Sequence, residues 1–174
     1  SLNNLKNCIN NDLANNFGNL CQRVFSFIEK NCNLIIKQPE KFSDIDNDLL
    51  NDLIGKLPSL KKFMDNQELN LYIKEVINFS FNSNKYFNDL EPWKLKKTDI
   101  KRMNTVLYCI LNQIKSISIL LYPIIPETIE KIFISIGLEK KDITLKSIEN
   151  LNLIKPGTKI KKTSILFKKI ENDN

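Results

Sequence analysis

Apolar residues recur at three- and four-residue steps along most of this chain. Leu5, Ile9, Leu13, Phe17, Leu20, Val24, Phe27 and Ile28 keep that step, which predicts an amphipathic helix over about 3–31. Residues 35–41, with Pro39, read as a connection. Ser43-Asp44-Ile45-Asp46 supplies an N-cap and first-turn carboxylates for a second helix. That helix meets Gly55 and Pro58 and resumes over 60–64. A third helix is predicted over 66–86, carrying Leu69, Ile73, Val76, Ile77 and Phe81. Residues 88–97 hold Pro92 and are expected to leave regular helix. Thr98-Asp99 then caps a fourth helix through Met103, Ile110, Ile117 and Leu121, which Pro123 breaks. Pro126 opens a fifth helix over 127–136, closed by Gly137. After it come a short helix over 144–150, a turn at Lys155-Pro156-Gly157, and a strand or extended arm over 160–170.

This pattern predicts an all-α fold: an antiparallel helical bundle of about five helices with a short extended C-terminal arm. Residues 1–174 form one predicted domain, the bundle over about 1–137 and the short helix and arm over about 138–174. No internal repeat stands out. The longest apolar runs, such as 117–125, are too short and interrupted to span a bilayer. With no secretory signal segment at the start, the expectation is a reduced, cytoplasmic protein without membrane contact.

Composition changes this picture chiefly by exclusion. The chain has no His, so Ser-His-Asp and Cys-His catalysis and His-ligated metals are ruled out. Cys8, Cys21, Cys32 and Cys109 make no C-x-x-C pair, and no metal site is expected. Gly18, Gly55, Gly137 and Gly157 are too scattered to form a phosphate loop. The formal charge of +6 comes from Lys; Arg23 and Arg102 are the two Arg. Lys, Asn and Ile are all abundant, as A/T-rich codons would produce, so each Lys by itself says little. An Arg in such a chain marks a place that needs a planar fork of donors.

Three features could carry chemistry. The first helix is rich in amides, and Asn15, Asn19 and Arg23 share a stripe roughly 110° from the centre of its apolar face. Half-dry amide and guanidinium groups of that kind suit the reading of base edges, although Asn that merely satisfies nearby backbone would look the same. In Glu91-Pro92-Trp93-Lys94-Leu95-Lys96-Lys97, Pro92 fixes the backbone ahead of the single Trp, and Lys101 and Arg102 extend the basic cluster. An aromatic beside positive charge can stack an unpaired base and hold its phosphates; the plainer possibility is a core Trp next to a solvated charged face. Lys155, Lys159, Lys161, Lys162, Lys168 and Lys169 make the C-terminal tail basic, either as a general attraction for RNA or as a solvated tail.

The segment Asn11-Asp12-Leu13-Ala14-Asn15-Asn16-Phe17-Gly18-Asn19-Leu20-Cys21-Gln22-Arg23 closely resembles the first helix of the anticodon-binding domain of bacterial methionyl-tRNA synthetases. Further pieces match in order: Asn84-Lys85-Tyr86-Phe87, Glu91-Pro92-Trp93-Lys94-Leu95, Leu121-Tyr122-Pro123-Ile124-Ile125-Pro126-Glu127-Thr128, and the ending Ile165-Leu166-Phe167-Lys168-Lys169-Ile170. Lys168-Lys169 stands where the family more often has Pro-Arg. The resemblance covers essentially the whole chain. Related bundles occur in leucyl, isoleucyl, valyl and cysteinyl enzymes, but Asn19 and Arg23 together with Trp93 point to the methionyl member.

The resemblance implies roles. Trp93, held by Pro92, would stack on the first base of a CAU anticodon; Asn19 and Arg23 would bond base edges, with Asn15 in support. The family's HIGH and KMSKS signatures and zinc insert are missing. The chain therefore resembles the C-terminal part of a larger ATP- and Mg-dependent ligase that charges methionine tRNA, with the catalytic domain in cis lying outside it. On its own it is expected to bind tRNA, hold no cofactor or metal and catalyse nothing. The alternatives are the anticodon domain of a sister class I synthetase, or a helical protein-interaction module.

Overall fold

The computed structural model describes residues 2–162, apart from the side chains of residues 2–6 and of Cys8. The predicted first helix is present but not uniform. It consists of α1 (Leu2–Leu13), a π-helical segment (Ala14–Gly18) and α2 (Asn19–Cys32). Leu13, Phe17, Leu20, Val24 and Ile28 are buried along it, as their spacing requires. It ends at Asn33, which adopts a left-handed conformation at φ 51°.

α3 (Asp44–Gly55) opens with the capping box at Ser43 and Asp46, and α4 (Leu57–Asp65) follows with Pro58 in its first turn. α5 (Leu69–Leu90) runs longer than its apolar pattern suggests and stops at Glu91, at φ 48°. The expectation of an irregular 88–97 needs correcting. Pro92 has no backbone N–H to leave unsatisfied at the first position of a helix, and it starts α6 (Pro92–Thr98) there. Asp99 accepts the backbone N–H of Arg102 and caps α7 (Ile100–Leu121).

α7 is the centre of the core. Every residue from Thr105 to Leu121 on it is buried. By length and composition it could cross a membrane, which the short apolar runs did not suggest, but 94% of its most apolar window is buried inside the bundle. Tyr72 Oη on α5 donates to Leu120 O at 2.6 Å, tying the two long helices together. α8 (Pro126–Ser135) starts at Pro126 and is followed by Gly137 at φ 80°. The left-handed turn favours glycine, and a Cβ there would lie 2.6 Å from Thr158 Cγ2, so that side chain would also have to shift.

α9 (Leu145–Glu149) matches the expected short helix, with Thr144 as its cap. The chain then returns along the 33–36 connection: Ile160 N–H donates to Leu34 O at 2.7 Å, and Gly157 N–H to Ile36 O at 2.7 Å. A single antiparallel bridge, Ile35 with Lys159, is the only strand-like pairing among the described residues. Most of the arm expected over 160–170, with Lys168 and Lys169, lies outside the described residues.

Candidate nucleic-acid interface

Arg23 lies on α2, half-buried, where its guanidinium reaches the last two turns of α5. One terminal nitrogen donates to Asn84 Oδ1 at 2.8 Å and the other to Asn88 Oδ1 at 2.5 Å. Asn84 and Asn88 are four residues apart on one helix face, so both amides meet the two prongs of the same fork. The guanidinium carbon also sits 4.8 Å from the centroid of the Phe87 ring. Burial draws its pKa below the usual 12.5.

Phe87 connects this fork to Trp93. Its ring is 5.9 Å from the Trp93 ring at a 57° tilt, and it meets Phe27 edge-on at 6.0 Å. Trp93 is 42% exposed, so it is not the core Trp that composition alone allowed. The sharp corner at Glu91, buried Pro92 and the first turn of α6 hold it out at the surface. Glu91 is further fixed by an ion pair with Lys94 at 2.7 Å.

Asn19 lies one turn before Arg23 on α2, partly exposed. Its Nδ2 donates to Asn15 O at 2.6 Å, a backbone carbonyl in the π-helical segment. The side-chain Oδ1 is thereby oriented and remains able to accept. Asn15 itself is exposed. The extra residue in a π turn shifts the phase of everything before it, so a constant 100° step does not carry through Asn15. Asn19 and Arg23 both follow the π turn and keep their shared stripe.

The structure brings Arg23 and Trp93 together through Phe87, and places Asn19 one helical turn away from Arg23. Asn84, Asn88 and Phe87 are site residues that spacing did not single out, although Asn84 and Phe87 fall within a matched motif. The signal was there: two amides at i and i+4, with an aromatic between them, at the end of a helix.

The basic cluster needs one correction. Arg102 is not available for phosphate. Its guanidinium forks onto the buried Asp46 carboxylate at 2.7 and 2.9 Å and also donates to Ser43 Oγ at 3.2 Å. Lys96, Lys97 and Lys101 are exposed, whereas Lys94 is engaged by Glu91. In the tail, Lys162 pairs with Glu29 on α2.

Among the described residues, no group of three or more His, Cys, Asp or Glu is placed to hold a metal ion. Cys21, Cys32 and Cys109 are free and buried, and burial pushes the Cys109 thiol up to about 12. The fork, the exposed indole and the oriented amide suit the binding of a flat, hydrogen-bonding ligand.

Residues 36–174 match the model of the anticodon binding domain of methionyl tRNA ligase. The methionine–tRNA ligase of Caldanaerobacter subterraneus is 34% identical over 169 residues, 96% of this chain and 26% of the relative. That of Brucella suis is 40% identical over 126 residues, 72% of this chain and 24% of the relative. Among solved structures, the apo form of Mycobacterium tuberculosis methionyl-tRNA synthetase superimposes with a TM-score of 0.84 at 28% identity, covering 99% of this chain and 35% of that one. The same enzyme in complex with methionyl-adenylate gives 0.82 at 29% identity, covering 91% and 32%. The chain thus spans about a quarter to a third of the length of these relatives. With a helical fold shared across nearly its whole length and a family model covering most of it, the chain belongs to the methionyl-tRNA ligase anticodon-binding domain family.

Proposed function

We propose that this domain selects methionine tRNAs by their CAU anticodon, as the C-terminal part of a cytoplasmic methionine–tRNA ligase. Trp93 stacks on the first anticodon base. Arg23 and Asn19 bond base edges, Asn15 supports Asn19 through its carbonyl, and Pro92 sets the indole's position. The observation that carries this reading is the exposed Trp93 beside a guanidinium already held by Asn84 and Asn88. Stacking of one unpaired base contributes about 1–3 kcal/mol. Fixed donors reject a wrong base because a mismatched polar group is left without a partner.

The ligation itself belongs to the part of the enzyme that the relatives possess and this chain does not cover. ATP and Mg would be handled there, and the tRNA would bridge both parts. The chain has neither a Gly-rich loop nor a His, and it supplies recognition only.

Arg23→Lys tests the proposal. It keeps the charge but removes the planar fork. The affinity ratio between a CAU anticodon stem-loop and loops with other anticodons should shrink several-fold in the variant. If cognate and non-cognate loops lose affinity equally, Arg23 contacts only phosphate and the base-reading role is wrong.

A further inference from the structure

Two aromatic side chains are among the large apolar residues that stay exposed in the described structure: Trp93 at 42% and Phe81 at 57%. Each is linked to Arg23 by way of α5. Trp93 touches Phe87, over which the guanidinium lies. Phe81 is on α5 three residues before Asn84, the amide that takes one prong of the fork. Residues at that spacing have Cβ atoms about 5–6 Å apart on one helix surface. Asn88, seven residues on from Phe81, continues the same face.

Phe81 also forms one wall of a groove of about 790 Å³ between α5 and the first helix. Ile9, Phe63 and Leu71 line it together with the amides of Asn16, Asn70 and Asn78. Asn16 Nδ2 is fixed on Asp12 O at 2.7 Å, within the same helix turn as the π segment. The charged lining residues are Asp12, Lys74 and Glu75, one net negative charge, and Glu75 shares Lys56 (3.3 Å) with Asp52 (3.2 Å), so the groove itself does not attract phosphate. A mainly apolar lining with amides and no excess positive charge fits an object with flat apolar faces and hydrogen-bonding edges. A nucleobase has that form; a phosphate does not.

Building on the anticodon reading, we infer that Phe81 is a second stacking residue. It takes another unpaired base of the same loop into the groove beside Asn16 and Asn78. Its continuity with the Arg23 fork favours RNA over a protein helix as the occupant. A loop stretched between these two aromatics would present its intervening base edges to Arg23 and Asn19.

The test uses CAU anticodon stem-loops with 2-aminopurine, a base whose fluorescence falls on stacking, at successive loop positions. In the wild type, two loop positions should be quenched. Trp93→Ala should restore one and Phe81→Ala the other, while Phe81→Tyr keeps both quenched. Phe81→Ala should weaken binding by between about fivefold and about 150-fold. Phe81→Leu, which still fills the groove without a π face, should weaken it nearly as much. Matching thermal melts would show that these exposed-site variants remain folded. Affinity unchanged in Phe81→Ala, wild-type affinity in Phe81→Leu, or no position whose quenching depends on Phe81 would each overturn the inference. If Trp93→Ala still alters binding, the failure concerns Phe81 alone. If neither variant matters, the anticodon reading fails with it.

Discussion

A guanidinium held by two amides and laid over a ring has lost much of its rotamer freedom before any ligand arrives. At Arg23 that cost is met within the fold, by Asn84, Asn88 and Phe87, rather than at the moment of binding. The amides are neutral, so they orient the cation without cancelling its charge. A prediction follows at this scale. Asn84→Ala should reduce discrimination between CAU and other loops by a few-fold to tenfold, the value of about one hydrogen bond, while salt-dependent attraction to RNA persists. Titrating both loops at two salt concentrations checks it; equal losses for all loops would mean that Asn84 serves only folding. Sequence spacing singled out Arg23 and Asn19 because they share a stripe on one helix. It missed Asn84 and Asn88 because their role depends on α5 lying against α2, a tertiary relation that periodicity does not encode.

Helix starts and stops were largely legible. Pro58, Asp99, Pro126, Gly137 and Thr144 each act through local backbone chemistry, and each marks a boundary in the structure. Glu91-Pro92 misled because a proline that breaks one helix can open the next when the residue before it turns left-handed. The π turn at Ala14–Gly18 has no residue signature of its own, so one helix was expected where the phase shifts. The role of Arg102 was hidden for a similar reason. Its partner Asp46 is 56 residues away, at the start of α3, is fully buried, and also accepts from Tyr86 Oη at 2.5 Å. Burial alone would raise the Asp46 carboxyl; bonds from Arg102, Tyr86 and the Ser43 N–H outweigh it and hold the pKa below its usual value. This cluster joins α3, α5 and α7 one residue away from Phe87. Arg102→Met leaves a buried carboxylate without its cation and should cost about 3–5 kcal/mol, a fall in Tm on the order of 10 °C by thermal denaturation. A change of only a degree or two would show that the pair is dispensable.

Across the whole molecule, α7 anchors the C-terminal segment through polar side chains on a buried face. Tyr108 Oη donates to Ile154 O at 2.6 Å and Asn112 Nδ2 to Leu151 O at 3.1 Å. Lys115, 0% exposed, reaches Asn150 O at 2.7 Å, Asn112 Oδ1 at 3.1 Å and Ile148 O at 3.5 Å. These acceptors are two backbone carbonyls at the end of α9 and one side-chain amide on α7, with no carboxylate among them to compensate the charge; burial lowers the pKa from 10.5 to about 7. Between those values the unfolded chain binds the proton and the folded chain does not. Stability attributable to Lys115 therefore rises as pH increases from about 7 to about 10.5, by at most about 1.4 kcal/mol per pH unit, and is flat below about 7, where both states hold the proton. Comparing Tm from pH 6 to 9 in the wild type and in Lys115→Met should show this slope in the first and its loss in the second. Equal slopes would place the titration elsewhere. The molecule thus fixes its C-terminal segment by buried polar contacts and leaves Trp93 exposed beside the Arg23 fork. The most direct measurement of that division is the affinity of a CAU anticodon stem-loop for the wild type and for Trp93→Ala with an unchanged melt. A loss of between about fivefold and about 150-fold, with the preference for CAU over other loops reduced, is the predicted result. Unchanged affinity in the folded variant would contradict anticodon recognition at Trp93.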